Sequence, residues 1–183
     1  MGEMKDRMLA GLDYRADDPD LLDDSRRAAG LTARYNAELD PEVRRDLLAQ
    51  LLGSVGGGTT IRAEFRCDYG YQITVGAETF VNWGAVFLDV GRIVIGDAVQ
   101  IGPNVQLLTA THPLDAAARR AGWEGSAPIT IEDDVWLGGG VIVLPGVTVG
   151  AGSVVGAGAV VTRDLPPGVL AVGNPAQVVR QLT

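Results

Sequence analysis

From Ile95 onward the chain repeats every six residues. Ile95, Ile101 and Leu107 are aliphatic, and after a gap so are Ile131, Leu137, Val143, Val149, Val155 and Val161. Glycine follows directly at Gly96, Gly102, Gly138, Gly150 and Gly156. A second aliphatic set stands four residues on, at Val99, Val105, Val135, Val141, Val147 and Ala159. A period of six fits neither a helix nor a hairpin strand. It predicts short strand-and-turn units stacked into a β-helix with apolar residues inward at regular stations. Three hexads per turn make a triangular prism, although periodicity by itself leaves side count and hand open. The glycine after each aliphatic residue either relieves crowding or permits positive φ at a corner.

The repeat is interrupted from Thr109 to Pro128, and the interruption holds His112, the sole histidine. A loop of about 20 residues inside a solenoid is functional or disordered. The repeat resumes in the phase it left, since Ile131 lies 36 residues after Ile95. The loop is therefore an excursion that leaves the coil registry intact.

Residues 1–53 carry helical periodicity in three pieces. Met4, Met8 and Leu12 mark the first. Leu21, Leu22, Ala28, Ala29, Leu31 and Tyr35 form the stripe of the second, with Pro19 in its first turn. Asp40-Pro41 supplies an N-cap and N1 pair for the third, whose stripe is Val43, Leu47, Leu48, Leu51 and Leu52. The period changes at Thr59. Ile61 to Phe65 alternates as a half-buried strand does, and Ile73, Val75, Val81 and Phe87 mark irregular early turns of the same repeat. Residues 1–58 thus form a helical segment covering a β-helix of residues 59–183. The loop is 109–128, and a tail, 164–183, opens where Asp164 to Gly168 breaks the pattern. One structural domain holds all of it.

The net charge of −8 argues against nucleic acid, whose binders carry basic patches. The N-terminus has no apolar leader, and no run is long enough for a membrane span, so a cytoplasmic protein without membrane attachment is expected. Lone Cys67 excludes an internal disulfide, and one histidine with scattered acids makes no metal site.

The hexads resemble the hexapeptide-repeat acyltransferases. Phe65 to Tyr71, Thr109-Ala110-Thr111-His112-Pro113, Val135 to Gly139 and Gly173-Asn174-Pro175-Ala176 are similar to the maltose and galactoside O-acetyltransferase group, nearer the maltose type. Tyr14-Arg15 with the acids that follow matches its N-terminal region. The resemblance implies a mainly β fold: a left-handed parallel β-helix with an N-terminal helical segment and a protruding loop. It implies acetyl transfer from acetyl-CoA to a hydroxyl of a sugar such as maltose or glucose, in a homotrimer with active sites between subunits. Other acceptors (a galactoside, a lipo-oligosaccharide or an antibiotic) and a non-enzymatic scaffold are the alternatives.

On that resemblance His112 is the general base, since imidazole titrates near neutral pH. Asn82 is an acceptor contact and an oxyanion donor, against the reading of an asparagine at a left-handed corner. Asp17 and Asp18 are candidates for sugar hydroxyls, with helix capping beside Pro19 as the other reading. Asp68 and Asp89 are weaker sugar-side candidates, and Trp136 lines the acceptor or pantetheine channel. Gly139, Ala157, Thr162, Arg163 and Arg180 stand where the coenzyme A groove is implied, and Gln177 replaces a second basic residue there. Glu124 either orients the imidazole or is a solvated carboxylate. Cys67 reads as a small buried hydrophobe rather than an acyl carrier.

Overall fold

The structure, a computed structural model, describes residues 2–182. Three helices come first: α1 Glu3–Leu9, α2 Pro19–Ala37 and α3 Pro41–Leu51. Their starts follow local chemistry. Asp18 accepts the Asp20 N–H at 2.9 Å, and Asp40 accepts those of Glu42 and Val43 at 2.8 and 3.2 Å. Gly11, at φ +70°, follows α1, so Leu12 lies outside the helix and exposed. Leu21, Ala28 and Tyr35 are buried on α2, whereas Leu22 and Ala29 face water. Leu47, Leu48 and Leu51 are buried on α3, while Val43 is exposed. No described helix is long and apolar enough to cross a membrane.

The rest winds into three parallel sheets, the faces of a triangular prism. Face one stacks Ser54–Val55, Ile73–Val75, Ile93–Ile95, Ile129–Ile131 and Thr148–Val149. Face two begins with Thr60–Ile61, Phe80–Val81, Gln100–Ile101, Trp136–Leu137 and Val154–Val155. Face three stacks Arg66–Cys67, Val86–Leu88, Gln106–Leu108, Ile142–Val143 and Val160–Val161. The fold is the expected β-helix with N-terminal helices and a protruding loop. Every hexad station from Ile95 to Val161 is buried, as is the set four residues on. Ile61 and Phe65 both point inward as two stations of one hexad, so their alternation is not one strand: that strand ends at Ile61.

The structure separates the two roles offered for glycine. The residue directly after each inward aliphatic lies against the next coil. A Cβ at Gly138 would stand 2.6 Å from the Ala157 nitrogen, and one at Gly102 2.5 Å from that of Gly139. Positive φ falls three residues after the inward aliphatic instead. Ala98 (55°), Asn104 (58°), Asp134 (58°), Gly140 (69°) and Gly152 (64°) all adopt it. Crowding therefore sets the first glycine, and left-handed backbone sets the second position.

Both ends are covered. At the base, Tyr35 Oη and Arg44 Nη2 donate to the Ile61 carbonyl, and the Asn36 amide bonds both the N–H and the C=O of Phe65. These contacts satisfy backbone groups of the first coil that no lower coil can reach. At the top, the break at Asp164 shortens a corner without ending the coil. Leu165 bridges to Val149, Val169–Val172 continues face two, and Gln177–Gln181 folds back on it antiparallel.

Gly150→Ala would set a Cβ against the Pro167 nitrogen and 2.7 Å from the Pro166 carbonyl carbon. It should cost about 1–3 kcal/mol and lower the apparent Tm by roughly 2–10 °C. Gly30→Ala, exposed on α2 with nothing within 4 Å, should instead raise stability by about 0.5–1 kcal/mol. Thermal melts of both variants check the pair; equal effects would contradict the crowding argument.

Candidate active site

Early coils are longer than late ones. Val75 pairs with Ile95, 20 residues on, whereas Ile131 pairs with Val149, 18 on. The extra residues lie where face three turns into face one, at Asp68–Gln72 and Asp89–Arg92. The excursion leaves from this same 3–1 edge, after Leu108, and Ile131 pairs directly with Ile95 on its return. The 36 residues thus make one coil plus its excursion.

The excursion is ordered. Ala110–Thr111 and Trp123–Ser126 pair antiparallel around α4, Ala116–Arg120. Tyr14–Arg15 adds a third strand, with Tyr14 opposite Glu124 and Arg15 opposite Trp123. The buried Tyr14 hydroxyl donates to Glu124 Oε2 at 2.8 Å. Met8, Tyr14, Leu21, Tyr69 and Val90 form a second apolar cluster, fixing the N-terminal arm to the edge. His112 follows this ribbon and is exposed. The pairing ends with Thr111 opposite Gly125, which makes His112 the first residue beyond the ribbon.

Beneath the ribbon lies a compact set of acids and tyrosines. Asp89 is buried, and its carboxylate accepts the backbone N–H groups of Asp68, Tyr69 and Gln72 at 3.0, 2.9 and 3.3 Å. Burial pushes its pKa up, and those three bonds oppose the shift. Burial also lifts the Asp68 carboxyl to about 6, with the Asp89 and Glu124 charges adding to it. Tyr14 and Tyr69 are raised, chiefly by burial and then by neighbouring carboxylates. Tyr71 is raised by burial and by Asp24, which accepts its hydroxyl at 3.0 Å. Cys67, at the margin, is pushed up to about 12 by burial first and Asp89 second, so its thiol stays protonated at neutral pH.

The other sequence candidates fall elsewhere. Asp18 caps α2, and Asp17 pairs with Arg15 at 2.5 Å on the surface. Neither is bonded to the edge cluster. Asn82 sits half-buried on the 2–3 edge, and its side chain accepts the Trp83 N–H at 2.9 Å. Asn104, not Asn82, takes the left-handed corner. Trp136 points outward from face two and is 55 % exposed. Gly139 and Ala157 follow on the 2–3 edge in successive coils, linked by Gly158 N–H to Gly139 C=O at 2.9 Å. Thr162 and Arg163 are exposed beyond face three, and Arg163 donates to Gln177 Oε1 at 2.5 Å. Arg180 is exposed on the last strand, opposite Leu170.

Within one chain, then, Asp68, Asp89 and His112 gather at the 3–1 edge, while Asn82, Gly139 and Ala157 share the 2–3 edge. Tyr69 and Tyr71 were not among the sequence candidates. Three of the four tyrosines cluster here, and their spacing gave no sign of it. Among the described residues no three His, Cys, Asp or Glu side chains group to hold a metal ion.

Comparison with known proteins adds the family. Residues 7–56 match the maltose acetyltransferase hexapeptide capping motif, and residues 128–163 match the six-repeat bacterial transferase hexapeptide. Nodulation protein L of Rhizobium meliloti (strain 1021) is 49 % identical, covering 95 % of this chain and 96 % of its own. A maltose O-acetyltransferase from Clostridium difficile 630 superposes with a TM-score of 0.96 at 47 % identity, over 98 % of this chain and 97 % of that one. A hexapeptide-repeat acetyltransferase of Vibrio cholerae O1 biovar eltor, solved with acetyl coenzyme A, gives 0.94 at 40 % identity over the whole of both chains.

Asp68 holds its proton more firmly in the fold than in the unfolded chain. Its contribution to stability is whole below its ordinary value of 3.8 and is lost as pH rises through about 6. Asp68→Asn should therefore be more stable than the native chain at pH 8, with the gap closing toward pH 4. Denaturation midpoints at pH 4, 6 and 8 check this; a gap independent of pH would contradict the assignment.

Proposed function

Because this chain belongs to the maltose and galactoside O-acetyltransferase group of the hexapeptide-repeat acyltransferases, we propose that it moves an acetyl group from acetyl-CoA to a hydroxyl of a sugar such as maltose or glucose. That it is an acetyltransferase of this type follows from the family. The acceptor and the roles of individual residues are our reading.

His112 is the general base. The observation that carries this is its placement: the one histidine, exposed, at the end of an ordered ribbon that departs from an otherwise regular coil. Neutral imidazole takes the acceptor hydroxyl proton as the oxygen attacks the thioester carbonyl. Collapse of the tetrahedral adduct breaks the carbon–sulfur bond, and the imidazolium returns the proton to the departing thiolate. The Asn82 amide supplies a neutral donor for the oxyanion. No covalent acyl-enzyme is needed, in keeping with the protonated Cys67.

The fit of the donor side rests on this chain's surface. Gly139 and Ala157 lack bulk on the 2–3 edge, so an extended pantetheine arm can approach the backbone, flanked by exposed Trp136. Arg163 and Arg180 are exposed cations for phosphate, the first already bonded to Gln177. Asp68, at the same 3–1 edge as His112, is the sugar contact in this reading. Asp17 and Asp18 are weaker contacts, given their pairing and capping.

Asn82 and His112 stand on different edges of one prism. An acceptor that touches both requires a neighbouring copy to bring its 2–3 edge to the 3–1 edge of the first. A homotrimer with three such sites meets that requirement.

Thiol release from acetyl-CoA with a panel of glucose, maltose and galactosides tests the activity. His112→Ala should lose about 10²- to 10⁴-fold in turnover while keeping its fold and mass; near-native turnover would reject the base. Solution mass should match three copies of the 19.2 kDa chain, and a fully active monomer would reject the shared site.

A further inference from the structure

The base of the prism holds a cleft of about 840 Å³ between α3 and the first coil. Its chemistry departs from the rest of the surface. The chain carries 23 acidic residues against 15 Lys and Arg, yet among the described residues no carboxylate lines this cleft, while Arg44, Arg45 and Arg62 do. None of the three forms an ion pair among the described residues. Arg44 is held in place, donating to the Ile61 carbonyl at 3.1 Å with its guanidinium 4.4 Å from the Tyr35 ring centroid. Arg62 lies 4.1 Å from the Trp83 ring centroid. The walls add apolar surface: Trp83 is 54 % exposed and Leu39 89 %. Unpaired guanidinium groups beside aromatic and aliphatic side chains suit a ligand with an anionic group on an apolar body.

The cleft also adjoins the proposed acceptor residue. Ile61 pairs with Val81, so Arg62 stands directly below Asn82 on the 2–3 edge, one coil spacing or about 4.8 Å away. Val81 pairs with Ile101, and Ile101 with Leu137, which continues the same column upward through Gly102 to Gly138 and Gly139. One edge thus runs from the small residues assigned to the acyl donor, past Asn82, into the arginine-lined cleft. Trp83 belongs to both parts, since its N–H bonds Asn82 Oδ1 and its ring faces Arg62.

We infer that this cleft is an extension of the acceptor site that takes an anionic, apolar aglycone, so that the preferred acceptor is a glycoside bearing an acidic hydrophobic substituent rather than a free neutral sugar. The inference rests on the acceptor reading of Asn82. Arg62 and Arg45 bind the anion, Trp83 and Leu39 cover its apolar body, and the sugar hydroxyl remains beside Asn82.

Acetylation kinetics with 4-carboxyphenyl β-D-glucoside and phenyl β-D-glucoside test it, since the two differ only by the carboxylate group. The native enzyme should show a KM about tenfold lower for the carboxylated glycoside, and Arg62→Gln should bring the two KM values together. Arg45→Gln, on the exposed side of α3, repeats the comparison should Arg62→Gln fold poorly. Equal KM values in the native enzyme, or a ratio unchanged in both variants, would overturn the inference while leaving sugar acetylation intact. If no glycoside is acetylated, the acetyltransfer reading fails by itself, and calorimetric titration with 4-carboxyphenyl β-D-glucoside decides the cleft: binding lost in Arg62→Gln supports it, and no binding overturns it. A Leu39→Asp chain that loses its native solution mass with the KM ratio unchanged would assign the cleft to contact between subunits, which also overturns it.

Discussion

Every coil rests on the next through parallel backbone hydrogen bonds, and that spacing constrains the rest. Gly76 donates to Ile95, Gly96 to Ile131, Gly102 to Leu137 and Gly138 to Val155, each at 2.8 Å. With the backbones this close at the corners, the glycines that follow Val75, Ile95, Ile101 and Leu137 have no room for a Cβ. The chain then turns through left-handed φ two residues further on, at Ala98, Asn104, Asp134 and their glycine counterparts. Inside, the stations hold mainly Val, Ile, Leu, Ala and Phe, and the two small hydroxyl residues among them, Thr79 and Ser153, are buried with their oxygens bonded to backbone. The pair Phe65 and Phe87, edge-to-face with centroids 5.3 Å apart, fills its wider lower part.

A stack so regular leaves variation to the edges. Two extra residues per early coil, then the whole excursion, all emerge where face three meets face one. Ladder pairing continues across them, because Ile93, Val94 and Ile95 take Ile129, Thr130 and Ile131 as partners. The edge can therefore carry buried carboxylates without weakening the core. Asp89 is satisfied by three backbone donors, and this fixes the Asp68–Gln72 corner on which the tyrosines sit. The arm at Tyr14–Arg15 closes over it, so the site is a joint product of the N-terminus and the excursion.

The helices do more than cover an apolar end. Their side chains take the place of a missing coil, donating to carbonyls at Ile61, Phe65 and Tyr69. Arg44 serves in this way while still facing the basal cleft. Opposite ends of the 2–3 edge thereby acquire different chemistry: small residues such as Gly139 and Ala157 toward the top, arginines with aromatic rings toward the base.

The hexads by themselves determined a β-helix, its inward stations and the place where it is interrupted, because a six-residue period is too short for anything but a strand and a turn; that the coil has three faces came from the strand pairing. The cap at Asp40 was legible from the Asp-Pro pair, whereas capping was only one of the two readings for Asp18, and the structure shows Asp18 accepting the Asp20 N–H. His112 stood out as the lone histidine in the break. Tertiary structure decided what period cannot encode. Gln72, Tyr69 and Asp68 meet Asp89 only through the vertical stack of coils, and Tyr14 meets Glu124 across 110 residues of chain. The same stacking parts Asn82 from His112 onto different edges, since residue spacing along the chain does not say which corner a turn occupies. It also resolved the glycines, where crowding and positive φ are indistinguishable in sequence and separate only once the neighbouring coil is in place.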